Sequence, residues 1–154
     1  MAEVNKIAMR PDVQHFLFIG EKYERCGNGW KKFLENPGAN TEDTLYINSA
    51  TATTDTTDYT ASYDIECDLM YTEATIKAVY DIAANRKIGD EAVLKHVKYD
   101  KFSNEAWEDN VAVAITSIDG EKKMSMSGSL NVRGDSKKGT FNTETGTFSP
   151  AVEG

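Results

Sequence analysis

Along most of the chain, hydrophobic and polar positions alternate with a period of two. Over residues 62–71, Tyr63, Ile65, Cys67 and Leu69 share one parity and Asp64, Glu66 and Asp68 the other. That is the pattern of a strand with one face in a core and one in water, and it places Tyr71 with the core side. Over 107–118, Trp107, Val111, Val113 and Ile115 alternate with Glu108, Asn110, Ala112, Ala114 and Thr116. Residues 118–121 (Ile-Asp-Gly-Glu) then predict a turn. The alternation resumes over 122–133, with Met124, Met126, Gly128, Leu130 and Val132 against Lys123, Ser125, Ser127, Ser129 and Asn131. Two alternating runs around Asp-Gly predict a hairpin. Gly128 interrupts the apolar row and predicts a bulge or a close approach of another chain.

The run VQHFLFIG at 13–20 is continuously apolar, as a strand buried on both faces would be. Shorter strands are predicted at 91–99 and around 140–141 and 147–148. One stretch changes period: Ile76, Val79, Tyr80 and Ala83 recur at three- and four-residue spacing, with Glu73 in the first turn, which predicts a helix over 72–85. The sum is a mainly β domain, an antiparallel β-sandwich or open barrel with one flanking α-helix. With 154 residues it is one domain that can bury about 70% of its unfolded surface and hold a core without disulfides.

Residues 36–62 fit none of these periods. Thr51, Thr53, Thr54, Thr56 and Thr57 crowd together there, and such a segment offers little to bury. It predicts a long polar loop or an exposed hairpin, and loops of that length are functional or disordered. Charge concentrates in the same region. The formal net charge is −8, and between Lys32 and Lys77 there is no Lys or Arg at all. Glu35, Glu42, Asp43, Asp55, Asp58, Asp64, Glu66, Asp68 and Glu73 fall in this interval. Such a balance disfavours tight binding to nucleic acid or to an anionic membrane, since both need Lys and Arg.

Candidate chemistry is sparse. The sequence holds no G-x-S-x-G, Walker loop, H-E-x-x-H or paired Cys-His arrangement. His15 and His96 read as packed or surface histidines, and Cys26 and Cys67 as reduced thiols. Asp64, Glu66 and Asp68 stand about 7 Å apart along one strand face, without the apolar enclosure that acid–base catalysis needs. Asp55 and Asp58 lack the spacing of a calcium loop. Arg133-Gly134-Asp135 reads as a turn closing a strand. No cofactor is expected. The start of the chain shows no secretory leader, which places the protein inside a cell, and no stretch approaches the ~20 apolar residues of a membrane span.

The order of several segments is more informative. Residues 26–30 (Cys-Gly-Asn-Gly-Trp) precede Asn36-Pro37, the Thr-rich segment closing on Asp58-Tyr59, the alternating strand, and a helix reading IKAVYDI before Arg86-Lys87-Ile88-Gly89. A hairpin, Val132-Arg133-Gly134-Asp135, Gly139-Thr140-Phe141 and Phe148-Ser149-Pro150 close the chain. This order resembles the tail tube, or major tail, proteins of long-tailed bacteriophages over most of the chain. The resemblance implies a β-sandwich with a flanking helix, six copies to a ring, and rings stacked into a hollow tube through which DNA leaves the capsid. It implies tape-measure, tail terminator and distal tail proteins as partners, assembly in the host bacterial cytoplasm, and DNA only in transit.

By sequence order, residues 1–12 and 148–154 would be arms and 36–62 the assembly loop. Asn36, Asn40, Thr44, Tyr46, Thr51, Thr54 and Asp58 are its candidate intersubunit residues. Asp64, Glu66 and Asp68, with Asp55 and Asp58 behind them, are candidates for the tube lining, where carboxylates would repel passing phosphates. The outer surface of the tube is the other place for that face. Two further readings are a tube protein of a contractile injection particle and a monomeric β-sandwich binding module using Trp30, Tyr46, Tyr59, Tyr63 and Tyr71.

Overall fold

The computed structural model describes residues 12–150. Ten strands and one helix follow in the order β1 (Val13–Ile19), β2 (Lys22–Arg25), β3 (Trp30–Asn36), β4 (Ala39–Thr44), β5 (Thr53–Tyr59), β6 (Ser62–Asp68), α1 (Ala74–Ala84), β7 (Val93–Asp100), β8 (Glu105–Asp119), β9 (Ser125–Asn142) and β10 (Thr147–Pro150). The main antiparallel sheet runs β2-β1-β7-β8-β9-β6-β3, with β10 added to β9, and β4 and β5 pair only with each other. The main sheet curls into a half-barrel with α1 as its flanking helix, so the mainly β expectation holds.

α1 presents Ile76, Val79 and Ile82 to Leu17, Ile65, Cys67, Val111, Val113, Met126 and Leu130 inside the curl. Of the expected stripe, Tyr80 and Ala83 sit at its half-buried margin, and Ile82 takes the place between them. Fully burying an aliphatic side chain is worth about 1.5–3 kcal/mol, and Leu17, Ile76, Val79, Val111 and Leu130 all have no exposed surface. A second cluster of Phe16, Tyr23, Val97, Ala106 and Phe141 is backed by Phe18 and Phe148. Neighbouring Phe16 and Leu17 belong to different clusters. The apolar run at the start of the chain is therefore buried on both faces, as expected.

α1 ends in a left-handed residue. Arg86 has φ 48°, its N–H donates to the Ala83 carbonyl at 3.2 Å, and the Lys87 N–H donates to Ile82 at 3.0 Å. These bonds satisfy the last helical carbonyls.

Gly128 lies where β8 and β9 slip in register, Ile115 pairing with Gly128 and Ser117 with Ser127. A Cβ there would strike the Ala114 carbonyl oxygen. The bulge was expected, and the close approach comes from β8 of the same chain.

Several local expectations need correction. β6 stops at Asp68, so Tyr71 falls beyond the alternation and is 55% exposed. The β8–β9 connection is a loop over 120–124, which leaves Met124 exposed rather than in the apolar row. Residues 133–135 do not end a strand. Asn110 pairs with Arg133 and Glu108 with Lys137, so residues 134–136 bulge opposite Asp109 and β9 continues to Asn142. Gly134, at φ +79°, makes that bulge possible. Phe148 to Pro150 pair with Phe141, Thr140 and Gly139 and so belong to the sheet instead of a free arm. Residues 1–11 and 151–154, the remainder of the two expected arms, lie outside the described residues.

Candidate assembly surfaces

The Thr-rich segment forms the hairpin β4–β5, which stands off the body. Asn40 pairs with Asp58, Glu42 with Asp55, and Asp43 with Thr54. Every residue of β5 is exposed, as is all of β4 except Thr44. At its base Thr60 N–H donates to the Gly38 carbonyl at 2.8 Å, and Asn40 Nδ2 donates to Thr60 Oγ1 at 3.0 Å. Gly38 has φ +66°, and a Cβ there would collide with the Thr60 carbonyl, so the base tolerates only glycine. The far end turns through a Ser49 N–H bond to the Tyr46 carbonyl, 3.0 Å. Leu45 is 63%, Tyr46 59% and Ile47 fully exposed there. Three consecutive large side chains thus tip an arm made mostly of polar residues, on which Thr51 and Thr54 are also exposed. Such a cluster on an isolated projection marks a contact surface.

Asn36 belongs elsewhere. It closes β3, and its Nδ2 donates to Asp64 Oδ2 at 3.1 Å. The carboxylate row of β6 is half-buried, opposite in parity to buried Tyr63, Ile65 and Cys67, and it is partly neutralised. Lys31 Nζ reaches Glu66 at 3.4 Å and Asp68 at 3.1 Å, and the bond to Asp68 holds its ammonium above the ordinary range. Lys32 pairs in register with Glu66. The stretch free of basic residues in sequence thus receives two lysines from the neighbouring strand. Asp55 and Asp58 lie on the hairpin rather than behind this row.

Inside the curl, the two ends of the sheet meet through side chains. His15 on β1 stacks on Phe33 of β3, ring centroids 4.0 Å apart, beneath Tyr63. Lys98 of β7 reaches Glu35 of β3 at 2.6 Å. A cleft of about 600 Å³ lies along this seam, between residues 13–15 and 30–35.

A polar chain crosses the seam's floor. His15 Nδ1 lies 3.0 Å from His96 Nε2, His96 Nδ1 lies 3.0 Å from Asp109 Oδ1, and Ser136 Oγ donates to Asp109 Oδ2 at 3.1 Å. With Asp109 accepting, His96 donates from Nδ1 and accepts at Nε2 the hydrogen bond that His15 Nδ1–H donates. The Ser136 hydroxyl meets a carboxylate instead of an imidazole. Both histidines are packed, as expected, but the link to Asp109 was not anticipated. Its signal was present: Asp109 is in phase with Val111 and Val113, where a carboxylate must face inward. The thiols are free, and burial pushes Cys67 up to about 12.

A further groove of about 500 Å³ runs between the C-terminal end of α1 and β8, lined by Ile82, Arg86, Lys87, Ile88, Ile115 and Ile118 among others. β7 pairs with β8 only from Glu105 to Ala112, so among the described residues the second half of β8 pairs with β9 alone, and its other edge floors this groove. No helix among the described residues is long and apolar enough to cross a membrane. The sequence matches no protein-family model, and no curated protein matches it.

Proposed function

We propose that this chain is a structural subunit that associates with copies of itself, as hexameric rings stacked into the hollow tail tube of a long-tailed bacteriophage. The observation that carries self-association is the hairpin β4–β5, which buries almost nothing on its own subunit and ends in Leu45, Tyr46 and Ile47. A two-stranded hairpin is marginal alone in water, so an arm of this kind gains its stability by docking. The tube itself, its tape-measure, terminator and distal tail partners, the passage of DNA and the virion location rest on the resemblance in segment order.

The unbalanced negative charge sits on the hairpin, where Glu42, Asp43, Asp55 and Asp58 have no Lys or Arg among them. Asp64, Glu66 and Asp68 are the candidate lining of the bore, with part of their repulsion toward phosphate offset by Lys31 and Lys32. The test is sedimentation and negative-stain microscopy across a concentration series, with a variant whose residues 40–58 are replaced by a short Gly-Ser linker. Rings or hollow tubes from the wild type and monomers from the variant are expected. A wild type that stays monomeric up to its solubility limit overturns the proposal, and tubes from the shortened chain remove the hairpin from it.

A further inference from the structure

Resting on that self-association, we propose that the groove between α1 and the free edge of β8 is the socket for the hairpin tip of a second copy of this chain. The tip offers an apolar cluster, and the groove offers an apolar floor of Ile82, Ile115 and Ile118 beside Ile88, itself 82% exposed. Along that floor, no strand among the described residues pairs with the outer side of residues 113–119 of β8. Their main-chain groups are open to hydrogen bonds from an entering backbone, as at other sheet edges that accept a partner.

Charge favours the same match. The groove lining includes Arg86 and Lys87 and no acidic residue, and neither cation forms an ion pair among the described residues. On the hairpin, Glu42 stands directly opposite Asp55. Like charges so placed destabilise a strand pair, and a cation from outside relieves them. Arg86 adds a backbone argument. It occupies the left-handed position after the helix, φ 48°, where glycine is unstrained and a side chain is not. The negative end of the helix dipole favours a cation there, and on the rim of the groove the same charge faces an incoming acidic hairpin.

The two surfaces are also separate on the subunit. The hairpin leaves the body where Ser62 pairs with Asn131, whereas the groove runs along β8 to Ile118, level with Met126 and Cys67 at the other end of those strands. Where such a contact between different surfaces is not reciprocated by the same two copies it is heterologous, and it propagates into rings or open stacks.

The test places a photo-crosslinking benzophenone amino acid at position 46 of the full chain, in place of Tyr46. Intermolecular crosslinks mapping to residues 82–88 or 113–118 are expected. Crosslinks to another part of a second copy, or assembly without intermolecular crosslinks, overturn the socket and leave self-association standing. Neither crosslinks nor assembly overturns both. Independently, Arg86→Glu should weaken association by about tenfold or more, and adding Glu42→Lys in the same chain should restore it. Arg86→Gly should leave the fold as stable as before, or more so, and still weaken association. Full association by Arg86→Glu refutes the assignment.

Discussion

Acid should destabilise this fold well before its carboxylates titrate, because His15 cannot take up a proton where it sits. Burial is the largest cause, followed by His96 and Lys98, and together they push the His15 pKa down from 6.5 to about 2. The groups around it are His96 and Lys98 from β7, Glu35 beyond the Phe33 ring on β3, Tyr63 on β6, and Asp109 on β8. Only one proton fits between the two rings, so charging both would set two N–H groups against each other across 3.0 Å. The unfolded chain binds this proton near the ordinary histidine pKa of about 6.5, and between there and about 2 the folded chain does not.

Stability from this site is therefore complete above pH 6.5 and falls as pH drops through the window, by about 1.4 kcal/mol per unit once well inside it. From pH 7 to 5 the loss is about 2 kcal/mol, equivalent to about 4–8 °C in Tm for a chain of this size. Urea unfolding at both pH values, on wild type and His15→Gln, measures it. The wild type should lose about 2 kcal/mol more than the variant over that interval. Equal losses in the two proteins would refute the account of a histidine held neutral by burial.

Other expectations concern packing and charge. Ile76→Ala removes a fully buried side chain where α1 meets the sheet and should cost about 2–5 kcal/mol in denaturant unfolding. Gly128→Ala drives a Cβ into the Ala114 carbonyl and should cost about 1–3 kcal/mol, detected as a lower Tm and faster amide exchange in β8. If the chain forms the proposed tail tube, replacing Asp64, Glu66 and Asp68 by Lys should leave subunits able to associate and reduce DNA ejection from particles carrying them. Unchanged infectivity would place that face on the outside.

Most of the β architecture is legible because the alternation at 62–68 is unbroken and that at 125–132 keeps its phase across Gly128, and a period of two admits only one arrangement of faces. The same rule failed where three residues of β9 stand opposite one of β8. Around Asp109 and residues 134–136 a bulge lets β9 run on past Gly134, and local turn chemistry at Arg133-Gly134-Asp135 pointed to an end instead. Tyr71 was misplaced because periodicity cannot say where pairing stops. That depends on the partner strand, and β9 begins at Ser125, opposite Asp68. The hairpin was visible as a segment with nothing to bury, and Tyr46 was named on it as a contact residue, but the apolar tip as a whole was not, since Leu45 and Ile47 look like core residues until their surroundings are known. The neutralisation of Glu66 and Asp68 by Lys31 was hidden for a related reason. Charge runs are counted along the chain, whereas β3 and β6 are joined across the whole hairpin insertion.

The seam between β1 and β3 sets how the subunit can deform. In a closed barrel every strand is held by main-chain ladders on both sides, and any change in girth must break several of them. Here the circuit is interrupted at one place, where a histidine ring lies flat on a phenylalanine ring beside one lysine–glutamate contact. Stacked rings slide over each other at little cost, and an ion pair re-forms after a small displacement. The sheet can therefore widen or narrow like a split collar, with strain collected at the seam and each ladder left whole.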